Sequence, residues 1–473
     1  MKRIYLIIFT ALLALTVSNA YSQNFDFEKM NEQAREYTVI VDMKIKFSFG
    51  VHTTEQDGRF LGTIVTSDGM VLYNGTATSS AILGNAISGM NIKSDPVSIK
   101  IITLDGTEYN AEYIGTDEET SIGFVKITDT NTVFKPIKFV NDYKFKTGEW
   151  LSAYMLLPDY VTPPFATDLG MVTTLIEKPE FFPLVVGFSP MQLHAVVFTE
   201  KNQAVGVVGL LNNPSQDSYD PDNFLENQSD FGIPMLGVIT TDRVNKLIEN
   251  PPVKGQTDKG WLGITLQALT KEMIAFWKLD ISGGIIVNEV MPNSPADVAG
   301  LMVGDIIYEV NGQPVEVDKE EKISIFQKKI SDFGPDVSIE LSVIRKNDEG
   351  YENLKLLPTL GNTPLASVDA PEYENKDLEF TVRDLVFQDY LNYNLDEQTF
   401  NGVYVSELKQ GGLAELDGLQ IGDVIQRIGN EPVAGVSDVE AIMTGLEETK
   451  PPEIIFFVWR NQKTLFVNIK TDW

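Results

Sequence analysis

The stretch SPADVAGLMVGDIIYEVNGQPV, residues 294–315, decides the fold, because much of it returns later in the chain. The longer segment 284–315 aligns without a gap with 402–433. Both copies share the pattern Gly-Leu-x-x-Gly-Asp-x-Ile and end in Pro-Val. Glycine permits the positive φ that such turns need, and the apolar residues that follow indicate a strand. The repeat therefore predicts two copies of one module, each with a helix of one turn near Pro295 or Leu413.

Each copy is followed by a predicted helix, 319–331 or 436–448, and then by apolar strands. A polar stretch with two prolines and two asparagines lies between the copies and is typical of a linker. We therefore expect two α+β modules, over 251–358 and 376–473, joined by a linker at 359–375.

The preceding region, 30–250, contains many short apolar strands separated by Gly, Asp, Asn and Pro. Few helical periods lie between these strands, and such spacing is typical of barrels or sandwiches. The expected fold class is therefore mainly β.

The composition limits the chemistry and the partners. The chain has 37 Lys and Arg against 67 Asp and Glu, a formal net charge of −30, and no cysteine. An acidic surface repels phosphate backbones, so nucleic acid is not an expected partner. Without cysteine, disulfides, thiolate metal sites and cysteine nucleophiles are excluded. We expect no metal site or cofactor, because the acidic stretches 117–119 and 218–224 lack the ligand spacing of a calcium loop.

Residues 1–22 have the form of a secretory signal peptide. Lys2 and Arg3 precede the apolar run IYLIIFTALLALTV, and small residues follow it. The run is short for a membrane-spanning helix, although a membrane anchor is the alternative. We expect a mature protein without a membrane span, exported to the periplasm or out of the cell.

The repeat strongly resembles the PDZ domain of the bacterial type. Two such modules behind an exported β-rich domain resemble the architecture of HtrA/Deg-type serine proteases. The resemblance implies a trypsin-like double β-barrel over 30–250, followed by two PDZ domains built as partly open barrels. It also implies binding of peptide segments, protein C-termini or unfolded segments, and a homo-oligomer, in that family often a trimer.

The resemblance also locates the positions of the catalytic triad. Proteases of this type carry His, Asp and Ser in three local patterns, which match SDGMVLYNGTA, GTDEETSIGFVKI and SPMQLHAVVFTEKNQAVGVVG. At the three positions stand Gly75, Ser121 and Gln192. None of these residues can take the role of the one that it replaces. The loop PMQLHA also lacks the glycines that let N–H groups converge as an oxyanion hole. We therefore expect a pseudoprotease with no catalytic residue.

The two histidines leave one alternative to a pseudoprotease. His52 and His194 are the only two in the chain. An active serine endopeptidase with a rearranged site would need a histidine beside a nucleophile, and Ser189 with His194 is the available pair. The other interpretation of both histidines is a turn residue or a partly buried polar residue.

The first PDZ-like module carries a predicted peptide site. A PDZ domain adds a peptide as a strand beside one sheet edge and binds its terminal carboxylate in a loop. The segment KGWLGITL matches the loop pattern of the family through five residues, Gly260, Trp261, Leu262, Gly263 and Ile264. The helix at 319–331 is expected to form the other wall through Ile323, Phe326 and Ile330. The alternative for the apolar residues is that they fill the core of the module.

The second module departs from this pattern. In KDLEFTVRDL, residues 376–385, Glu379 and Phe380 replace the glycines of the loop. A carboxylate close to Glu379 would be repelled, and Cβ atoms crowd the loop. A partner that adds an internal strand, or a structural packing role, is therefore expected instead of capture of a C-terminus.

Three functions are open at this point. The first is a non-catalytic exported HtrA-like protein that binds peptides as a scaffold, a regulator or a chaperone-like factor in protein quality control. The second is an active serine endopeptidase with the rearranged site. The third is a structural protein whose barrels mediate oligomeric assembly.

Overall fold

The structure is a computed structural model that describes residues 25–49, 52–79, 93–128, 131–177, 180–211, 235–254, 259–347 and 350–471. The expected signal peptide, 1–22, lies outside the described residues. None of the helices in these ranges is both long and apolar enough to cross a membrane.

The first six strands close into a barrel in the order β1-β2-β3-β6-β5-β4. Alternate residues of the first strand face its interior, because side chains along a strand point to opposite faces. Val39, Val41, Met43 and Ile45 are accordingly buried. The strands are β1 (Thr38–Phe49), β2 (His52–Ile64), β3 (Met70–Asn74), β4 (Lys93–Thr103), β5 (Glu108–Thr116) and β6 (Ile122–Ile127).

The next six strands close into a second barrel in the order β10-β11-β12-β9-β8-β7. Aromatic side chains of both barrels, among them Phe124, Tyr154 and Phe198, meet in one cluster between them. The strands are β7 (Trp150–Leu156), β8 (Phe165–Ile176), β9 (Phe182–Val186), β10 (Val196–Thr199), β11 (Ala204–Leu210) and β12 (Leu236–Thr240). The predicted double β-barrel is confirmed.

Each PDZ-like module is an open antiparallel sheet with helices packed on it. The first sheet runs β14-β15-β16-β18-β19, with β17 on β16, and a separate pair joins β13 to β20. Its strands are β13 (Gly260–Trp261), β14 (Ile264–Ala268), β15 (Ile285–Val290), β16 (Ile306–Val310), β17 (Gln313–Pro314), β18 (Leu341–Asn347), β19 (Gly350–Leu356) and β20 (Gly361–Asn362).

The second sheet runs β21-β22-β23-β24-β26-β27, with β25 on β24. It therefore has one strand more along its path than the first sheet. The strands are β21 (Glu372–Asn375), β22 (Phe380–Asp384), β23 (Val403–Leu408), β24 (Val424–Ile428), β25 (Glu431–Pro432), β26 (Glu453–Arg460) and β27 (Lys463–Lys470).

Some of the described helices begin at a capping side chain, among them those that follow Asp26, Thr270 and Ser294. In the first module, Ser294 Oγ accepts from the N–H of Asp297 and proline follows at the first helical position, an arrangement that favours a helix start. The helices are α1 (Phe27–Ala34), α2 (Thr241–Glu249), α3 (Lys271–Trp277), α4 (Pro295–Val298), α5 (Ile323–Asp332), α6 (Phe387–Tyr393), α7 (Leu413–Leu416) and α8 (Val436–Thr449).

The aspartate shared by both repeats holds the turn before a strand. Asp305 accepts the N–H of Met302 at 2.8 Å and a bidentate pair of bonds from Arg345. Asp423 makes the same bidentate contact with Arg460. Both aspartates are buried, and a buried carboxylate needs such partners. The repeated Gly-Asp therefore has a structural role in each module.

Two connecting segments are more ordered than a polar linker. Residues 359–375 include β20, a 3-10 turn at Ser367–Asp369 and β21. After α2 the chain crosses β5, where the N–H of Lys254 donates to Ile114 O at 3.1 Å. A Cβ on Gly115 would come within 2.1 Å of Pro252 O, so only glycine fits under this crossing.

Candidate functional site

The three positions that the sequence predicts to correspond to the triad lie around the junction of the barrels. The N–H of Gly75 donates to Ser121 O at 2.9 Å, which joins the end of β3 to the turn before β6. From the second barrel, His194 Nε2 lies 2.7 Å from Thr120 O, in the same turn. The loop that contains Gln192 therefore meets the turn of Thr120 and Ser121, to which Gly75 is hydrogen bonded.

The surroundings of Gly75 leave no room for a side chain. A Cβ there would lie 2.7 Å from Thr116 Oγ1 and 2.8 Å from the backbone N of Gly123. Thr116 is held in place, because its hydroxyl shares a hydrogen bond of 2.9 Å with Thr78. The Thr78 hydroxyl in turn contacts the buried hydroxyl of Tyr73 at 2.8 Å. Hydroxyl groups thus fill the space beside position 75.

Gln192 is a structural residue in its present environment. It is fully buried, its Oε1 accepts from the N–H of Ser189 at 2.7 Å, and its Nε2 donates to Ala153 O at 3.2 Å. The bond to Ser189 closes a 3-10 turn at Pro190–Gln192, and the bond to Ala153 connects this turn to β7. The Ser189 hydroxyl accepts from the N–H of Met191 at 3.3 Å.

The same loop offers no oxyanion hole. The N–H of Gln192 donates to Ser189 O, that of Leu193 to Pro190 O, and that of His194 to Val208 O. Pro190 has no N–H to donate. An oxyanion hole needs free donors aimed at one point, and the donors of this loop are bound within the chain.

His194 is buried and has the backbone of a tight turn. Its exposed fraction is 3%, and its φ of 64° is unusual for a residue with a side chain. Burial lowers its pKa from 6.5 to about 4, against the smaller opposing effects of the Thr120 carbonyl and Asp117. Its Nδ1 is buried and has no hydrogen-bond partner among the residues that the structure describes.

The alternative pair of Ser189 and His194 is not hydrogen bonded. One ring nitrogen of His194 contacts Thr120 O and the other has no partner, so neither contacts the Ser189 hydroxyl. His52 lies at the start of β2. Within the described part of the chain, no group of His, Asp and Glu side chains is placed to hold a metal ion.

The first PDZ-like module has an open sheet edge beside its predicted loop. β14 pairs with β15, from Ile264 opposite Val290 to Ala268 opposite Ile285, and it ends the sheet on the other side. Helix α5 packs along this side of the module. At the far end of the edge, Glu320 Oε1 accepts from the N–H of Ala268 at 3.2 Å. Among the described residues, no strand pairs with this edge from Ile264 up to that carboxylate.

The loop before β14 presents two free donors. Gly263 has a φ of 80°, and its carbonyl accepts from Met291 N at 2.9 Å and from Ser294 Oγ at 3.2 Å. The Leu262 carbonyl accepts from Ala296 N at 2.9 Å. Among the described residues, none accepts from the N–H of Leu262 or Gly263. Successive free N–H groups in such a turn form an anion-binding concavity.

The predicted side chains divide between core and edge. Leu262 and Phe326 are buried in the core of the module, whereas Ile264 and Ile323 are partly exposed beside the edge. The other two residues of the predicted loop, Gly260 and Trp261, pack against neighbouring segments. Gly260 pairs with Asn362, and a Cβ on it would lie 2.5 Å from Ile330 O. Trp261 packs edge-on against Phe387 of the second module, at 5.3 Å between ring centroids.

An ion-pair cluster joins α5 to the barrels and has no local sequence signal. Lys328 Nζ contacts Glu119 Oε1 at 2.5 Å, and Arg243 contacts the other oxygen of Glu119 at 2.5 Å. Glu119 precedes Thr120 in the turn between β5 and β6, and the carbonyl of Thr120 contacts His194. The chain separates Lys328 from Glu119 by 209 positions, so the pair arises only when the fold brings them together.

Comparison with known proteins agrees with this geometry. The PDZ domain family matches residues 253–343 and 386–450. Two probable periplasmic serine endoproteases described as DegP-like, from Brucella suis and Pseudomonas putida, are 21% and 24% identical to the chain. These matches cover 81% and 86% of this chain, and 71% and 78% of the relatives.

One solved structure shows the shared fold. It is an HtrA-type protease, AlgW, in a serine-to-alanine form with a decapeptide. The TM-score is 0.51 at 17% identity, over 73% of this chain and 100% of that one. The chain therefore has two PDZ regions behind a trypsin-like double barrel, and it is similar to DegP-type and HtrA-type proteases.

Proposed function

We propose that this chain is an exported, non-catalytic HtrA-like protein that binds extended peptides through its first PDZ domain. The observation that carries the proposal is the open edge of β14 next to the free N–H groups of Leu262 and Gly263. An added peptide strand gains main-chain hydrogen bonds along such an edge. The two N–H groups suit a terminal carboxylate, and the partly exposed Ile264 and Ile323 suit an apolar last residue.

The absence of catalysis is supported by two of the three triad positions. Gly75 has no room for an imidazole, and Gln192 is buried and hydrogen bonded through both its Oε1 and its Nε2. The rearranged pair is not favoured, because His194 Nε2 contacts Thr120 O and not Ser189, and because burial lowers the pKa of His194 to about 4 and makes it a weak base. Export is supported by the periplasmic relatives and by the form of residues 1–22. A homotrimer is a separate proposal that light scattering would test.

The peptide site is tested with labelled heptapeptides that end in an apolar residue, each prepared with a free carboxylate and as an amide. Ile264→Asp places a negative charge beside the carboxylate loop without removing a core residue, unlike a change at Leu262. We expect it to weaken binding at least tenfold in fluorescence polarisation. The matched control is Val298→Asp, since Val298 is 82% exposed on α4 of the same domain. If both variants bound the peptides with equal affinity, the proposed peptide site would be wrong.

Catalysis is tested separately by casein turnover. The mature protein, Ser189→Ala and Gln192→Ala are expected to show no turnover above the buffer. Cleavage by the mature protein that is lost in Ser189→Ala would overturn the non-catalytic proposal and make His194 a base.

A further inference from the structure

The second PDZ domain already has a strand on its peptide edge. β22 pairs with β23 on one side and with β21 on the other, whereas the corresponding β14 has a partner on one side. Helix α8 packs against both β21 and β22. The segment Glu372–Asn375 therefore lies at the edge that is open in the first domain.

The loops of the two domains can be matched bond by bond. The carbonyl of Leu378 accepts from Ala414 N at 3.2 Å, as that of Leu262 accepts from Ala296 N. Glu379 then stands at the position of Gly263, with a φ of 61°, and its side chain is bound by Lys409. Phe380 takes the position of Ile264 and not, as the sequence suggested, that of a glycine.

The strand β21 runs in the direction that a bound C-terminus would take. It is antiparallel to β22, with Glu372 opposite Arg383 and Asn375 opposite Phe380. Its last residue therefore lies next to the loop, where a terminal carboxylate would lie in an occupied PDZ domain. Its length covers the same stretch of edge as a bound tetrapeptide.

Asn375 supplies the acceptor that a ligand would bring. Its Oδ1 accepts from the N–H of Leu378 at 2.8 Å, and this N–H corresponds to the free one of Leu262. The Asn375 side chain is buried, with 2% exposed, and its Nδ2 donates to Tyr373 Oη at 3.1 Å. Tyr373 packs against the core of the domain, two residues before the end of the strand.

We propose that Glu372–Asn375 is an internal ligand that fills the peptide groove of the second PDZ domain. While β21 is paired, this domain binds no external peptide. The internal strand is favoured because it is tethered, and a short tether gives an effective concentration of the order of millimolar. The proposal concerns the other groove and does not rest on the proposed function of the first.

Hydrogen exchange at single amides tests the occupancy. In the full chain we expect the amide of Leu378 to exchange at least tenfold more slowly than that of Leu262. Asn375→Leu removes the acceptor oxygen and should remove this protection, whereas Asn375→Asp retains an oxygen and should preserve it. Glu374→Gln is the control, because Glu374 is exposed on the same strand. Unchanged protection in Asn375→Leu would overturn the proposal.

Binding in trans provides the second test. The probe is a labelled peptide of residues 369–375 with a free carboxylate, and all proteins carry Ile264→Asp so that the first groove does not contribute. Tyr373→Pro prevents regular pairing of β21, since proline cannot donate to a strand partner. We expect the probe to bind this variant at least tenfold more tightly than the protein with β21 intact. Equal affinity for the two proteins would show an open groove and overturn the proposal.

Discussion

The burial of His194 leads to a prediction that separates a structural histidine from a catalytic one. Its pKa in the folded protein is about 4, against an ordinary 6.5, because burial disfavours the charged ring. The unfolded chain therefore binds a proton between these pH values that the folded chain does not bind. The stabilising effect of the neutral ring is complete above pH 6.5 and is lost as the pH falls towards 4.

The magnitude follows from the two pKa values. Each pKa unit corresponds to about 1.4 kcal/mol, so protonation of the unfolded state lowers the free energy of unfolding by about 3 kcal/mol once the pH is near 4. The variant His194→Asn removes the titration, and asparagine tolerates the positive φ at this position. The difference in unfolding free energy between the two proteins should therefore change by about 3 kcal/mol from pH 7 to pH 4. The acidic side chains are common to both proteins and cancel in this difference.

The assay is a histidine-specific NMR titration combined with urea unfolding at each pH. Since the chain has two histidines, the variant His52→Gln assigns both signals. We expect the His194 ring to remain neutral to below pH 5. A ring that titrates between pH 6 and 7, or an unfolding difference that does not vary with pH, would refute the reasoning and leave His194 available as a base.

Three further predictions concern the barrels and the second PDZ domain. Gly75→His should lower stability by about 1–3 kcal/mol in urea unfolding and restore no casein turnover, because its Cβ meets Thr116 and a backbone nitrogen. Gln192→Ala should cost about 2–4 kcal/mol in the same measurement, since the buried Ala153 carbonyl and the partly buried Ser189 N–H lose their partners; a change below 0.5 kcal/mol would contradict this assignment. Asp389→Ala should lower the unfolding free energy of the second PDZ domain by about 3–5 kcal/mol in calorimetry, because it leaves the buried Arg383 without its bidentate partner; the milder Asp389→Asn is the control.

The sequence predicts the two PDZ modules well, because the residues that indicate them lie close together in the chain. The glycine turns and the shared Asp305 and Asp423 recur at the same spacing, and each performs the same task in its own domain. Alternating apolar residues likewise predict the strands of the barrels. The loop at 259–266 could be located for the same reason, since its pattern is contiguous.

Other features depend on contacts between distant segments and could not be predicted. The stretch Glu372–Asn375 is short and polar, so composition alone indicates a linker, and it becomes a strand because β22 offers an edge. The sequence allowed His194 to be a turn residue or partly buried; it does lie in a turn, and the packing of the two barrels buries it almost completely. For Leu262 the sequence left both the groove and the core of the module open, and the fold buries this side chain in the core.

The crossing of residues 252–254 over β5 has a mechanical consequence. Pro252 lies directly on Gly115 and Lys254 is hydrogen bonded to Ile114, so the chain is attached to the wall of the first barrel up to residue 254. The ion pair of Lys328 with Glu119 attaches helix α5 of the first PDZ domain to the same barrel. A force on α5 would therefore reach the barrel through this ion pair as well as along the chain.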